Sequence, residues 1–204
     1  MLKGVVIDPG HGGSDPGAVN GKVYEKDINL KISKLIYDKL KSRGIPVYLT
    51  RSTDQTLSPS ERVKKIRNAF GTSSDVITIS NHMNAGGGTG AEVIYGLRNS
   101  NKLSKLILSN LEKSGQPIRK YYQKKSATNP QNDYYFIIRD TKNNETVLIE
   151  YGFIDNQKDL DRVYNNLDKY ADAVVNTILE YKGLLKDTVY VVKKGDTIFM
   201  GNNE

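Results

Sequence analysis

Cysteine is absent from this 204-residue chain, which excludes disulfides and thiolate metal ligands and leaves nitrogen and oxygen as the donors for any bound ion. Histidine is scarce, with only His11 and His82. No apolar stretch approaches the ~20 residues that a membrane-spanning helix needs. The apolar part of MLKGVVIDPG is too short for a secretory leader, so a chain of this sequence acting outside a cell is expected to need another way out. Nucleotide-binding glycine patterns are missing: DPGHGG lacks the spacing and the lysine of G-x-x-x-x-G-K-[ST], and no G-x-G-x-x-G occurs. The compact HExxH metal motif, internal repeats and low-complexity tracts are absent as well.

What is present is basic and of single-domain size. Lys and Arg number 30 against 23 Asp and Glu, a formal net charge of +7 that favours a polyanionic partner, whether nucleic acid, anionic membrane or another anionic polymer. RKYYQKK at Arg119 to Lys125 interleaves tyrosines with cations, as nucleic-acid binders do, but such runs are usually solvated loop surface, and no nucleic-acid partner is expected. Apolar runs alternate with helix-period segments. Strands are expected at Lys3 to Asp8, Val47 to Thr50, Val76 to Ser80, Glu92 to Tyr95, Tyr135 to Ile138 and Thr146 to Ile149. Helices are expected through Ile28 to Leu40 with Gly44 as the stop, from the Ser58-Pro59-Ser60-Glu61 capping box to Phe70, through Leu103 to Leu111, and from Leu167 to Tyr181. Gln116 to Asp133 reads as a long surface loop. The alternation predicts an α/β fold: an open twisted, mainly parallel or mixed sheet with helices on both faces. A monomer is expected.

The chemistry gathers in four places. His11 stands in DPGHGG and His82 in SNHMNAGGG, each just after an apolar run, Glu150 ends the run TVLIE, and Glu25 precedes a helical pattern in VYEKDINL. Open α/β sheets place their working sites beyond the carboxyl ends of strands, so one sheet edge is expected to unite His11, His82 and Glu150, with Glu25 on the loop leaving that edge. Two imidazoles and one carboxylate make a usual zinc set with a fourth position open, and the other carboxylate is then free to take a proton. Each residue alone has a plainer reading: a hydrogen-bonding loop histidine, a helix-start acid, a strand-end ion pair. Their joint arrival is what points to a metal.

In order along the chain, DPGHGGSDPGA, EKDINLKISKLIYDKLKSRGIPVYLTR, ITISNHMNA, GAEVIYG and VLIEYGFIDN resemble the zinc-dependent N-acetylmuramoyl-L-alanine amidases of the third amidase type, over about Leu2 to Lys182. That resemblance implies a zinc ion, one per chain, held by His11, Glu25 and His82, with Glu150 catalytic. It implies peptidoglycan as substrate and the amide between N-acetylmuramic acid and L-alanine as the bond cut. Asn84 and Arg139 are candidate substrate contacts. Alternatives are a different zinc hydrolase of the wall, a peptidase or deacetylase, or a wall-binding module without activity. The charge is expected to favour anionic wall polymers such as teichoic acid, which salt-dependent binding to walls would test.

The resemblance divides the chain into a catalytic domain at 1–183, a linker at 184–187 and a tail at 188–204. TVYVVKKGDTIF in the tail is similar to the first strand and turn of a LysM peptidoglycan-binding module, and GNNE does not continue it as a helix. The expected setting is the cell wall, reached by lysis or through a holin, as for an endolysin or an autolysin.

Overall fold

The computed structural model describes residues 1–185. Residues 186–187, half of the expected linker, and all of the LysM-like segment lie outside the described residues. The elements follow the chain as Gly4–Pro9 (β1), Val19–Asn20 (β2), Val23–Tyr24 (β3), Glu25–Ser42 (α1), Val47–Leu49 (β4), Pro59–Phe70 (α2), Val76–Asn84 (β5), Ala91–Tyr95 (β6), Lys102–Lys113 (α3), Ile118–Tyr122 (β7), Phe136–Arg139 (α4), Glu145–Phe153 (β8) and Gln157–Tyr181 (α5).

One six-stranded sheet has the order β4-β1-β5-β8-β6-β7, and β2 and β3 form a small hairpin beside it. β4, β1, β5 and β8 run parallel, β6 is antiparallel to β8, and β7 is parallel to β6. The sheet is therefore mixed, mainly parallel and covered on both faces, as expected from the alternation of elements. Strand side chains alternate between the faces. Val5, Ile7, Ile77, Ile79, Val147 and Ile149 meet α1, α3 and α5 in the larger core. Val6, Val76, Ile94 and Leu148 meet Ile66 of α2 and Ile137 and Ile138 of α4 in the smaller one. Burial on both sides explains why these strands read as unbroken apolar runs. Each such side chain contributes about 1.5–3 kcal/mol by leaving water.

α1 buries Ile28, Ile32, Ile36 and Leu40 on one face, and α2 opens on the expected capping box, with Ser58 accepting from the Glu61 amide while Glu61 accepts from that of Ser58. Three expectations need correction. Ile118–Tyr122, expected to lie in a loop, is an edge strand whose exposed Arg119 and Lys120 hide its pairing with β6. Tyr135 to Ile138, expected as a strand, falls instead at one helical turn, Phe136–Arg139, followed by Thr141, whose hydroxyl donates back to the Ile137 carbonyl. Periodicity alone does not separate a short apolar run into helix or strand. α5 begins at Gln157 rather than Leu167: Asn156 caps it, and Leu160 and Val163 bury the same face as the later turns across non-helical angles at Asn166.

Beneath the carboxyl end of β1 lies a buried ionic network. The Asp8 carboxylate accepts from Thr50 Oγ1 at 2.6 Å, Arg62 Nη1 at 2.7 Å and Ser80 Oγ at 2.8 Å. Arg62 also donates to the carbonyls of Pro9 and His11, and Arg51 to those of Pro9, Gly10 and Lys26. Two arginines thus pin the loop that carries His11 to the ends of β1 and α1. Burial opposes charge on Asp8, but Arg62 and the three hydrogen bonds outweigh it and hold its pKa below the usual 3.8. Asp8 therefore lends stability that is complete above that value and fades as pH falls below it. Arg62→Met, which strands this buried carboxylate, is expected to cost about 3–5 kcal/mol in urea unfolding. A loss of about 0.5 kcal/mol, typical of a surface change, would contradict the role given to the network.

Candidate metal centre

His11 follows β1 with φ of 59°, a left-handed conformation that a non-glycine residue adopts at a cost and keeps here because Arg62 holds its carbonyl. His82 is not beyond a strand, as expected, but within β5, which continues to Asn84 and pairs His82 with Glu150 of β8. Glu150 likewise lies inside its strand. Glu25 is the first residue of α1, next to the loop and not ahead of the helix.

Glu25 Oε1 lies 3.3 Å from His11 Nε2 and 3.0 Å from His82 Nδ1, and the two rings meet edge to face with centroids 5.0 Å apart. Two glycines allow this closeness. A Cβ on Gly10 would run into the His82 ring, and one on Gly17 would sit 2.6 Å from Glu25 Oε2 and 2.7 Å from the His11 ring. The carboxylate is oriented further by the amides of Met83 on Oε1 and Ala18 on Oε2, and by Asn29 Nδ2. His11 Nδ1 meets Asp15 Oδ2 at 2.8 Å, so its other nitrogen faces Glu25.

This donor set fits a zinc ion. One ligand atom from each of His11, Glu25 and His82 lies within 4.8 Å of the other two. Zinc bonds of about 2.0–2.2 Å in a tetrahedron put ligand atoms about 3.3 Å apart, close to the spacings found from Glu25 to both rings. An acid behind the outer nitrogen of a ligating histidine, the place of Asp15, is the usual second partner in such sites. Burial works against charge on His11, yet hydrogen bonds and charge from Glu25, then from Asp15, raise its pKa to about 9. Burial pushes the Glu25 carboxyl up, but the hydrogen bonds and charges of both imidazoles draw it well below the usual carboxylate range. The pocket is thus built around a permanent anion that attracts cations.

Glu150 lines the same cleft, a cavity of about 420 Å³ that also exposes His11, Glu25, His82, Asn84 and Tyr135. Its Oε2 is shielded from solvent and lacks a hydrogen-bond partner among the described residues. Loss of solvation raises its pKa to about 7, with His82 opposing the rise and the charges of Glu25 and Glu92 adding to it. Glu92 was not read from the sequence as a site residue. It is the cross-strand partner of Glu150 on β6, buried, and bonded to Arg119 and Asn84.

Of the two candidate substrate contacts, Asn84 is at the cleft, with Nδ2 donating to Glu92 and Oδ1 accepting from the Ala85 amide. Arg139 is not: it forks onto Asp140 at 2.9 and 3.0 Å and borders a neighbouring groove. Sequence reading missed Asp15, Arg51 and Arg62. Only Asp15, four residues after His11 in HGGSD, left a local signal.

The N-acetylmuramoyl-L-alanine amidase family, Amidase_3, matches residues 5–180. The chain is 37% identical over 187 residues to the Bacillus subtilis (strain 168) protein YqiI, covering 88% of this chain and 84% of that one. It is 30% identical over 218 residues to the germination-specific N-acetylmuramoyl-L-alanine amidase of the same organism, covering 94% and 81%. Among solved structures, the catalytic domain of CwlV, an N-acetylmuramoyl-L-alanine amidase from Bacillus (Paenibacillus) polymyxa var. colistinus, superposes with a TM-score of 0.77 at 27% identity, over 90% of this chain and 100% of that one. With the match extending through every strand of the sheet and all four residues of the cleft, the chain belongs to the N-acetylmuramoyl-L-alanine amidase family.

Proposed function

We propose that this chain is a zinc-dependent amidase of peptidoglycan that hydrolyses the amide between the lactyl group of N-acetylmuramic acid and the L-alanine of the stem peptide. One observation carries the reading. The His11-Glu25-His82 cluster and the unpartnered Glu150 carboxylate share one cleft, in a chain of this family.

His11, Glu25 and His82 would hold the ion. Bound there, zinc supplies a Lewis acid that polarises a carbonyl and eases deprotonation of water. The protein supplies proton transfer and alignment. A Glu150 carboxyl with a pKa of about 7 is nearly balanced between accepting and donating at neutral pH, which suits it to take a proton from the attacking water and return it to the leaving amine. Its free Oε2 has nothing to break before it acts. Asn84, fixed by Glu92 and the Ala85 amide, can offer its side chain to the substrate from the rim. His11 is kept in place through Asp15 and Arg62, so metal binding would not require the loop to reorganise. The net charge of +7 supports retention on anionic wall polymers.

Separate roles for the residues give separate signatures. Glu150→Gln is expected to keep about one zinc per chain while the rate falls at least roughly a hundredfold, whereas His82→Ala loses metal and rate together. Metal analysis beside turnover reads both, and near-normal turnover in Glu150→Gln would remove Glu150 from the proposed role. The reaction itself is tested by digesting purified peptidoglycan and identifying the new termini by mass spectrometry. New L-alanyl amino termini, lost with a chelator and restored by zinc, are expected. Cleavage within the stem peptide, loss of acetyl groups, or no cleavage would sink the amidase reading.

A further inference from the structure

Beside the catalytic cleft runs a second, larger groove of about 780 Å³ between α2 and α4. The two are neighbours, with Pro59 and Phe136 lining both. The wall formed by α2 presents Ser60, Lys64, Arg67 and Asn68, one helical face at i, i+4 and i+7 spacing, and Arg139 and Asp140 stand opposite. Arg139 and Asp140 neutralise each other as a bidentate pair. Among the described residues neither Lys64 nor Arg67 has an ion-pair partner, so the groove is left with two uncompensated cations.

We infer that this groove is a subsite for the acidic stem-peptide arm of the substrate, with Lys64 and Arg67 recognising its carboxylates. The inference rests on the proposed amidase activity. The bond to be cut joins two arms of different charge. On the sugar side the lactyl carboxyl is consumed in the amide and the glycan is neutral. On the peptide side the second residue, a γ-linked D-glutamate, keeps a free α-carboxylate unless it has been amidated. A groove lined by unpaired cations matches the second arm and not the first. Along α2 a rise of about 1.5 Å per residue sets Lys64 about 7.5 Å and Arg67 about 12 Å beyond Pro59, which borders the cleft, lengths that two to four residues of extended peptide span. Lys64 and Arg67 are specificity-determining positions that act on binding of this arm, with no part in the proton transfers at Glu150.

The test compares two soluble muramoyl peptides that differ only in a free or an amidated α-carboxylate at the second residue. The full chain is expected to favour the free acid in kcat/KM, mainly through KM, by about two- to fivefold, the size of one partly solvated charge contact. In K64A/R67A that ratio is expected to approach one. A ratio near one in the unaltered chain, or a ratio that survives the double substitution, overturns the proposal. A second readout does not need turnover. The free acid tripeptide L-alanyl-γ-D-glutamyl-L-lysine, titrated into the 15N-labelled full chain, should shift amide signals along Ser60 to Asn68, and its amidated form should do so more weakly. Shifts by the tripeptide that leave Ser60 to Asn68 unmoved, or shifts along α2 with an oligomer of glycerol phosphate but not with the tripeptide, would overturn the proposal. If neither muramoyl peptide is cleaved, the activity reading fails, and the titration alone decides whether the groove takes this peptide.

Discussion

The Glu25 carboxylate, buried at the first turn of α1, accepts from the amides of Ala18 and Met83 and from Asn29, and faces both imidazoles through a single oxygen. A buried carboxylate without such partners would be costly, so its surroundings are as much a condition of folding as of chemistry. The requirement propagates outward. The end of β5 must supply the Met83 amide, the Gly17 turn must bring Ala18 close without a side chain, and the His11 loop must fold back over α1. Arg51 ties these parts together through the carbonyls of Gly10 and Lys26. Satisfying one anion therefore assembles the group of atoms that suits a divalent cation.

The sheet contributes the second half of the site through an asymmetry between its faces. On the face covered by α1, α3 and α5 the strands bury a continuous apolar layer. On the other, the smaller α2 and α4 cover only part of the sheet, and the even-numbered residues of β5 pass from Val76 to polar side chains toward the strand end, while on β8 Leu148 is followed by Glu150. His82, Glu150 and Glu92 stand side by side across β5, β8 and β6 where that cover ends. Incomplete cover gives the substrate access while leaving Glu150 dry enough to hold its proton near neutral pH. The same short helices bound the adjoining groove, so one architectural feature gives both the cleft and its extension.

The sequence made the parallel strands legible because strands buried on both faces appear as uninterrupted runs such as VVI and VITI, and it made α2 legible through its capping box. Motif order, more than spacing or composition, pointed to His11, Glu25, His82 and Glu150, which the fold does bring to one cleft. What stayed hidden depends on partners distant along the chain. IRKYY carries no periodic apolar face because Ile118 to Lys120 are exposed while Tyr121 and Tyr122 pack against different cores, and its identity as a strand comes from pairing with β6. YFII is too short for its period to be read, and only the fold makes it a helical turn. Arg62 sits among other basic residues of a solvated-looking helix, and nothing nearby signals an ion pair with Asp8, 54 positions away. The first turns of α5 did leave a signal, the helical spacing of Leu160, Val163 and Leu167 behind the Asn156 cap, which an expected start at Leu167 left out.

If His11, Glu25 and His82 form one cation-binding centre and Glu150 stays out of the coordination, crystals of the full chain grown with zinc and measured on both sides of the zinc absorption edge will show it. One strong anomalous peak is expected within bonding distance, about 2.0–2.2 Å, of a nitrogen of His11, a nitrogen of His82 and an oxygen of Glu25, and outside that distance from Glu150. A peak coordinated by Glu150 in place of Glu25, or none at this cluster, would contradict it.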